Sequence, residues 1–325
     1  MTTLYVPDLD GTLMRTDKTL SRYTLETVNR LIDEGMLITY ATARLFQSAY
    51  EITKDIHFNL PVITRNGTVF ADPIKKSEIE ILQFSEQDVN NLKILLGDKI
   101  RKFGFVTSYI DGKIVKKFGN REISDGLENF TKDHNDKRIR IINDDQDIFE
   151  GNVIYCTLIA KKQELQPLYE EMEKAGDWEC VFSKDTYGED YWLEICPSNA
   201  TKAKAILKFK EKMGCDRIVV FGDSVNDISM FEIADEAYAV ENAIDELKEK
   251  ATSVIDGNDE DGVAKFLSER WDGDKFVTEI EGETRKVQNK STDRQSYNET
   301  VSFYITKYDK KCTYNSFDIK YNRVI

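Results

Sequence analysis

Short apolar runs recur along this chain without polar residues alternating through them, and each lies next to a stretch with helical spacing. LYV (residues 4–6), MLITYAT (36–42), the start of PVITRNGT (61–68) and RIVVFGD (217–223) are such runs. A strand with no inside–outside alternation is covered on both faces, the mark of a parallel sheet with helices on either side. LSRYTLETVNRLIDEG (20–35) supplies one helix, with Leu25, Val28 and Ile32 on one stripe, Leu31 beside it and a stop at Gly35; TKAKAILKFKEKMG (201–214) supplies another. AYAVENAIDELKEKA (237–251), TSVI (252–255) and EDGVAKFLSER (260–270) continue the alternation. The expected fold class is α/β, built on a doubly wound parallel sheet.

A different pattern interrupts this one. Residues 82–189 read as helix SEQDVNNLKILLGDKI, strands in FVTSYIDGKIVKKF, a helix from Gly126 to His134, strand NVIYCTLIA, helix KQELQPLYEEMEKAG and strand WECVFSK. With 325 residues the chain is long enough for two cores. The expected division is a discontinuous core of residues 1–81 and 190–272, with an α+β domain of residues 82–189 inserted into it. The last stretch, 273–325, reads as a β-rich extension: KFVTEIEGETRKV as a hairpin around Glu281-Gly282, then TVSFYITKY and NSFDIKYNRVI as half-buried strands.

Composition removes several functions. The balance of 45 basic against 59 acidic residues leaves a net charge of −14, which repels nucleic acid and anionic membrane surfaces. No segment approaches the roughly 18 apolar residues of a membrane span, and no basic-then-apolar leader opens the chain, so a cytoplasmic protein is expected. Five cysteines, far apart and without a Cys-x-x-Cys pair, and only two histidines, His57 and His134, argue against disulfide frameworks and zinc sites.

Ligands of open parallel sheets bind outside the carboxyl ends of the strands. That rule gathers Asp8 and Asp10 from the end of the first strand, Thr42 from the second, and Gly222 and Asp223 from the fourth, with Asn226 and Asp227 one turn on. Two unit charges ~4 Å apart repel by roughly 4 kcal/mol at an effective dielectric near 20, so carboxylates this close need a positive partner. Oxygen ligands without His or Cys favour Mg²⁺. Lys202, opening a helix after Ser198-Asn199-Ala200-Thr201, adds a second positive charge. A divalent ion, a lysine, a hydroxyl and backbone amides make a cradle for a transferring phosphoryl group, and a neighbouring carboxylate can attack phosphorus.

Taken together, DLDGT (8–12), the Thr of YATAR (40–44), the Lys of SNATK (198–202) and GDSVND (222–227) resemble, in order, the four motifs of the haloacid dehalogenase superfamily. IEILQ (79–83), LEICP (193–197), AVENA (239–243) and NDEDGVA (258–264) are similar to its Cof-type (type IIB) phosphatases. The resemblance runs to about residue 270. It implies a Rossmann-like core with an α/β cap inserted between the second and third motifs. It implies Asp8 as nucleophile and Asp10 as general acid, then base. Thr42 and Lys202 would hold the phosphoryl group, with Asn226 reaching it; Mg²⁺ would take the Asp8 carboxylate, the Asp10 carbonyl and Asp223; Asp227 would support Lys202 or the metal's waters. Ala43 stands where the family usually has Gly, and Pro7 where it has a small or apolar residue.

Arg44 and Asn66 are further candidates at the substrate, each with a plain alternative as an ion-pair partner and a turn residue; Gly11 and Gly222 would let backbone approach the site. Tyr187, Tyr191 and Trp192, where the insertion returns, could meet substrate or pack. The function expected is a Mg²⁺-dependent phosphatase of small phosphomonoesters, sugar phosphates or related metabolites, acting as a monomer or homodimer without nucleic acid or membrane. A phosphomutase would share the constellation and return the phosphoryl group to a second hydroxyl. A non-catalytic metabolite-binding protein would be expected to lack Asp8 or Asp10. A receiver domain is shorter, with its acidic pair adjacent in sequence.

Overall fold

The computed structural model describes residues 2–281 apart from 121, 133–136 and 186–187. The chain opens with β1 (Thr3–Pro7), α1 (Arg22–Asp33), β2 (Leu37–Ile38), α2 (Phe46–Thr53), β3 (Val62–Thr64), β4 (Val69–Asp72) and β5 (Ser77–Ile81). Then come α3 (Glu86–Leu96), α4 (Lys99–Phe103), β6 (Gly104–Ile110), β7 (Lys113–Gly119), α5 (Asp125–Lys132), β8 (Ile139–Ile142), β9 (Asn152–Ala160), α6 (Lys162–Ala175), β10 (Trp178–Lys184) and β11 (Tyr191–Pro197). It closes with α7 (Lys202–Met213), β12 (Arg217–Gly222), α8 (Ile228–Ile233), β13 (Glu236–Val240), α9 (Asp245–Lys250), β14 (Ser253–Ile255) and α10 (Gly262–Glu281). No helix among the described residues is long and apolar enough to cross a membrane.

Five strands form one parallel sheet in the order β14-β13-β12-β1-β2. From β1 the chain moves one way to β2, and from β12 the other way to β13 and β14. Right-handed crossovers then put α1 on one face and α8 and α9 on the other, and the order reverses between β1 and β12. Leu4, Val6, Ile218, Val219, Val220 and Phe221 are fully buried, as strands covered on both sides require. Local signals start the helices: Ser21 caps α1 by accepting from the Thr24 amide, and Thr201 caps α7 by accepting from Lys204. Val28, Leu31 and Ile32 of α1 all enter the main core.

A second, six-stranded sheet has the order β10-β11-β9-β6-β7-β8. One face, with Val106, Cys156, Leu158, Leu193 and Ile195, packs on Leu92 and Leu96 of α3, Ile100 of α4 and Leu165, Leu168 and Met172 of α6. Register places Phe105, Thr107, Tyr155, Thr157 and Glu194 on the opposite face. Three of these, Thr107, Tyr155 and Glu194, meet the loop that follows β3.

Three expectations need correction. MLITYAT gives a ladder of only Leu37 and Ile38 with β1. Pro7 has no N–H for the next rung, although its carbonyl still accepts from Ala41. LEICP, placed with the core, is β11 and pairs antiparallel with β9 and β10, so the second sheet extends to Pro197 rather than 189. The first half of the expected hairpin, up to Glu281, belongs to helix α10, which continues through the boundary placed at residue 273. That helix starts from Val263 and Leu267, which pack in the main core, so the helical period persists past them. The rest of the hairpin and the strands TVSFYITKY and NSFDIKYNRVI lie outside the described residues, as does Tyr187.

Candidate active site

Asp8 follows β1 and Asp223 follows β12, the two strands at which the sheet order reverses, so both acids emerge into the crevice that this topology opens. Asp8, Asp223 and Asp227 are all buried and offer carboxylate oxygens within 4.8 Å of one another. Lys202 Nζ donates to Asp8 Oδ1 and to Asp227 Oδ1, 2.7 Å each, and is itself 1% exposed. A lysine in the first turn of a helix opposes the helix dipole. Here that cost is offset by two carboxylates reached across the crevice.

Two of these acids hold the Lys202 ammonium directly, and the third, Asp223, stands beside them. Burial pushes the Asp8 carboxyl up to about 7, against the pull of Lys202 and with the help of Asp227 and Asp10. Asp223 is pushed well above the usual carboxylate range by burial, and further by Asp227 and Asp8. Burial alone would lower Lys202, but Asp227 and Asp8 outweigh it and hold the ammonium charged.

The loop after Asp8 is tied down from several directions. Thr12 Oγ1 donates to Asp223 Oδ1 at 3.0 Å, and Asn242 Nδ2 donates to the Gly11 carbonyl at 2.8 Å. Asn242 Oδ1 in turn accepts from the Asn258 amide, and Asn258 Nδ2 donates to the Met14 carbonyl. Gly11 has φ +72°, and a Cβ there would lie 2.3 Å from Asp223 Oδ2, so only glycine lets this loop lie against that acid. Gly222 faces the same constraint from Asp227, whose side chain a Cβ would meet at 2.7 Å. Asp227 accepts from the backbone amides of Asp223 and Ser224, which fixes it as the brace of its own loop.

Thr42, fully buried, sits beside this group with its hydroxyl accepting from the Arg44 amide, which spans Ala43. Arg44 grips Asp10 with both nitrogens of its fork, Nε to Oδ2 at 2.6 Å and Nη2 to Oδ1 at 2.5 Å. Of its two sequence readings, the ion-pair partner is the one this geometry displays. The loop after β3 docks on the same motif, since the Arg65 amide donates to the Arg44 carbonyl and the Asn66 amide to the Thr42 carbonyl. Asn66 lies next to Asn226, whose Nδ2 donates to Asn66 Oδ1 at 3.2 Å, but the amide nitrogen of Asn66 is taken by Tyr155 and Glu194. Trp192 stands edge-on to Phe130 and Tyr191 is tilted on Phe182, as packing residues.

The sequence profile described as haloacid dehalogenase-like hydrolase matches residues 5–267. The chain belongs to that family. Among curated members of the haloacid dehalogenase-like hydrolases, a 5-amino-6-(5-phospho-D-ribitylamino)uracil phosphatase of Bacillus subtilis is 27% identical over 285 residues, covering 82% of this chain and 97% of its own. A pyridoxal phosphate phosphatase of Escherichia coli is 25% identical over 267 residues, covering 80% and 95%. A crystal structure of a haloacid dehalogenase-like hydrolase from Bacteroides thetaiotaomicron superimposes with a TM-score of 0.65 at 22% identity, over 83% of this chain and all of that one. The expected family, α/β class and phosphatase type of enzyme agree with these findings. Sequence reasoning named Asp8, Asp10, Asp223 and Asp227 but passed over Thr12, Asn242, Asn258, Tyr155 and Glu194. All but Tyr155 stand inside stretches quoted for the resemblance; Tyr155 gave no signal, being one apolar-looking position in a buried strand.

Proposed function

We propose that this haloacid dehalogenase-like hydrolase is a Mg²⁺-dependent phosphatase that cleaves small phosphomonoesters through an aspartyl-phosphate on Asp8. The observation that carries the reading is the buried trio Asp8, Asp223 and Asp227 at the switch point of the sheet, two of whose members, Asp8 and Asp227, are bridged by Lys202. The donor set fits a hard divalent cation: it is all oxygen, desolvated, and carries more negative charge than Lys202 offsets. Asp8, Asp223 and the Asp10 main-chain carbonyl would hold Mg²⁺, which when bound would offset charge on the phosphoryl oxygens. The named substrates of the two curated relatives are both small phosphorylated metabolites, which supports that size class. Sugar phosphates and related metabolites are the substrates to try first.

Asp8 attacks phosphorus as a carboxylate, and the leaving oxygen takes a proton from Asp10. Asp10 then removes a proton from the water that hydrolyses the aspartyl-phosphate. Lys202, Thr42, Asn226 and the backbone at Ala43 and Arg44 hold the phosphoryl oxygens in both steps. Arg44 grips Asp10 at both oxygens and fixes where it stands before substrate arrives; one oxygen must be released and take up a proton before Asp10 can give it to the leaving group. Gly11 and Gly222 keep the loops close enough for this, and Asp227 keeps Lys202 in place. Residues 82–189, with β11, form the cap that excludes water and meets the leaving group.

The test is phosphate release from a panel of sugar phosphates and other phosphomonoesters, with Mg²⁺ or with chelator. Asp8→Asn is expected to abolish release while the circular-dichroism spectrum stays that of the wild type. Full activity in that variant defeats the nucleophile assignment. Isomerised sugar phosphate without free phosphate identifies a mutase instead.

A further inference from the structure

The residues 65–67 carry a conformation that the catalytic motifs do not explain. Arg65 and Asn66 both have φ +51°, in the left-handed region that costs a side-chain-bearing residue energy, and both are buried. Backbone strain of this kind persists only where the surroundings over-determine it. What the turn achieves is visible in the contacts. It brings both side chains against the face of the second sheet, while Asn66 keeps one end on Asn226.

There Asn66 Nδ2 donates to Tyr155 Oη at 2.7 Å and to Glu194 Oε2 at 3.2 Å. Both acceptors thus gather at the one Asn66 nitrogen. The Arg65 guanidinium lies 4.6 Å over the Tyr155 ring and 3.8 Å from Glu194 Oε1, so the buried carboxylate keeps a charged partner. The free end of the Asn66 amide, Oδ1, accepts from Asn226. Tyr155 and Glu194 come from β9 and β11 of the six-stranded sheet; Asn226 belongs to the motif that also carries Asp223 and Asp227. An asparagine amide has two ends with opposite hydrogen-bonding character, and here each end is committed to a different body of the protein.

We infer that Glu194 and Tyr155 are positioning residues: through Asn66 they set the orientation of Asn226, so that the phosphoryl cradle is completed only when the six-stranded sheet is seated on the loop after β3. This rests on the phosphatase reading, in which Asn226 reaches the phosphoryl group. With Glu194 or Tyr155 removed, Asn66 Nδ2 keeps one acceptor instead of two, so the amide turns over more readily and then presents its N–H groups to Asn226, whose own donor loses its acceptor. The consequence falls on the chemical step, because a misplaced phosphate ligand weakens contacts in the transition state.

The experiment is steady-state hydrolysis of p-nitrophenyl phosphate with Mg²⁺ by the full chain and by Glu194→Ala, Glu194→Gln and Tyr155→Phe, with melting temperatures for all four. Glu194→Ala is expected to lower kcat by roughly tenfold or more while KM stays within about threefold. Glu194→Gln retains an oxygen for Asn66 and is expected to recover most of that loss. Tyr155→Phe, which removes the nearer acceptor, is expected to lower kcat by about threefold to tenfold. Unchanged kcat in Glu194→Ala and Tyr155→Phe, or a rise in KM alone, overturns the positioning role. So does a Glu194→Gln variant as impaired as Glu194→Ala. If Glu194→Ala does not fold, Tyr155→Phe and Glu194→Gln decide. A wild type that releases no phosphate from any phosphomonoester overturns the phosphatase reading itself.

Discussion

Replacing Lys202 with Met keeps the side chain's length and removes the one ammonium shared by Asp8 and Asp227. Carboxylate oxygens of Asp8, Asp223 and Asp227 lie within 4.8 Å of each other, and each ionised pair at that separation repels by roughly 3.5 kcal/mol at an effective dielectric near 20. Removing one partner of a buried ion pair costs about 3–5 kcal/mol, which is the expected loss of stability near pH 8 in chelator. The acids can escape by binding protons, and this sets the pH dependence. Asp8 already stands near 7 in the folded chain against an ordinary 3.8, so the folded state binds its proton more tightly than the unfolded state. Its contribution is therefore largest at low pH and is lost as pH rises from about 4 through about 7, by roughly 4 kcal/mol in all. Without Lys202 the Asp8 carboxyl rises further, and the loss extends to higher pH. Urea unfolding of both proteins near pH 5.5 and near pH 8, with chelator and with Mg²⁺, measures this. The difference between them should shrink by about half or more at the lower pH, and again when Mg²⁺ supplies the missing charge. A loss that is the same in all four conditions, or under about 1 kcal/mol near pH 8, refutes the reasoning.

Gly11→Ala places a methyl group 2.3 Å from Asp223 Oδ2 at φ +72°, and should weaken Mg²⁺ binding by tenfold or more in a calorimetric titration. Wild-type affinity would show that the loop has room to give. Arg44→Lys keeps the charge but loses the two-point grip on Asp10, so kcat is expected to fall by about tenfold with Mg²⁺ affinity unchanged; equal kcat would mean that Asp10 needs no such holder. Leu158→Ala opens a cavity in the six-stranded sheet's core and should cost about 2–5 kcal/mol in unfolding experiments, leaving Mg²⁺ affinity as it was.

The parallel sheet was legible because Leu4, Val6 and the run from Ile218 to Phe221 lack alternation, and strands buried on both faces leave that pattern in any sequence. Asp8, Asp223, Asp227 and Lys202 were legible for a different reason: charged groups at strand ends are expensive to bury and need each other. The assignment of β11 to the second sheet was not. LEICP is as apolar as a core strand, and which sheet it joins depends on pairing with Cys156 and Cys180, distant neighbours that no local pattern encodes. The contacts of Tyr155 and Glu194 with the loop after β3 stayed hidden likewise. Their partner Asn66 lies 89 and 128 residues away in the chain. Helix α10 misled because KFVTEI, read in isolation, has the composition of a strand, while the helix it prolongs starts thirteen residues earlier.

The pairing of β1 with β12 joins residues 3–7 to residues 217–221. During synthesis the first strand, apolar on both faces, therefore emerges long before β12 exists, with only the two-residue β2 to pair with, while all strands of the second sheet lie between 104 and 197 and can pair first. Late, non-local pairing slows folding and prolongs the exposure of a sticky edge. A chain cut between Pro197 and Arg217 has every strand of the second sheet but a first strand with only β2 beside it, a species suited to chaperone binding or aggregation and unable to close the crevice between Asp8 and Asp223.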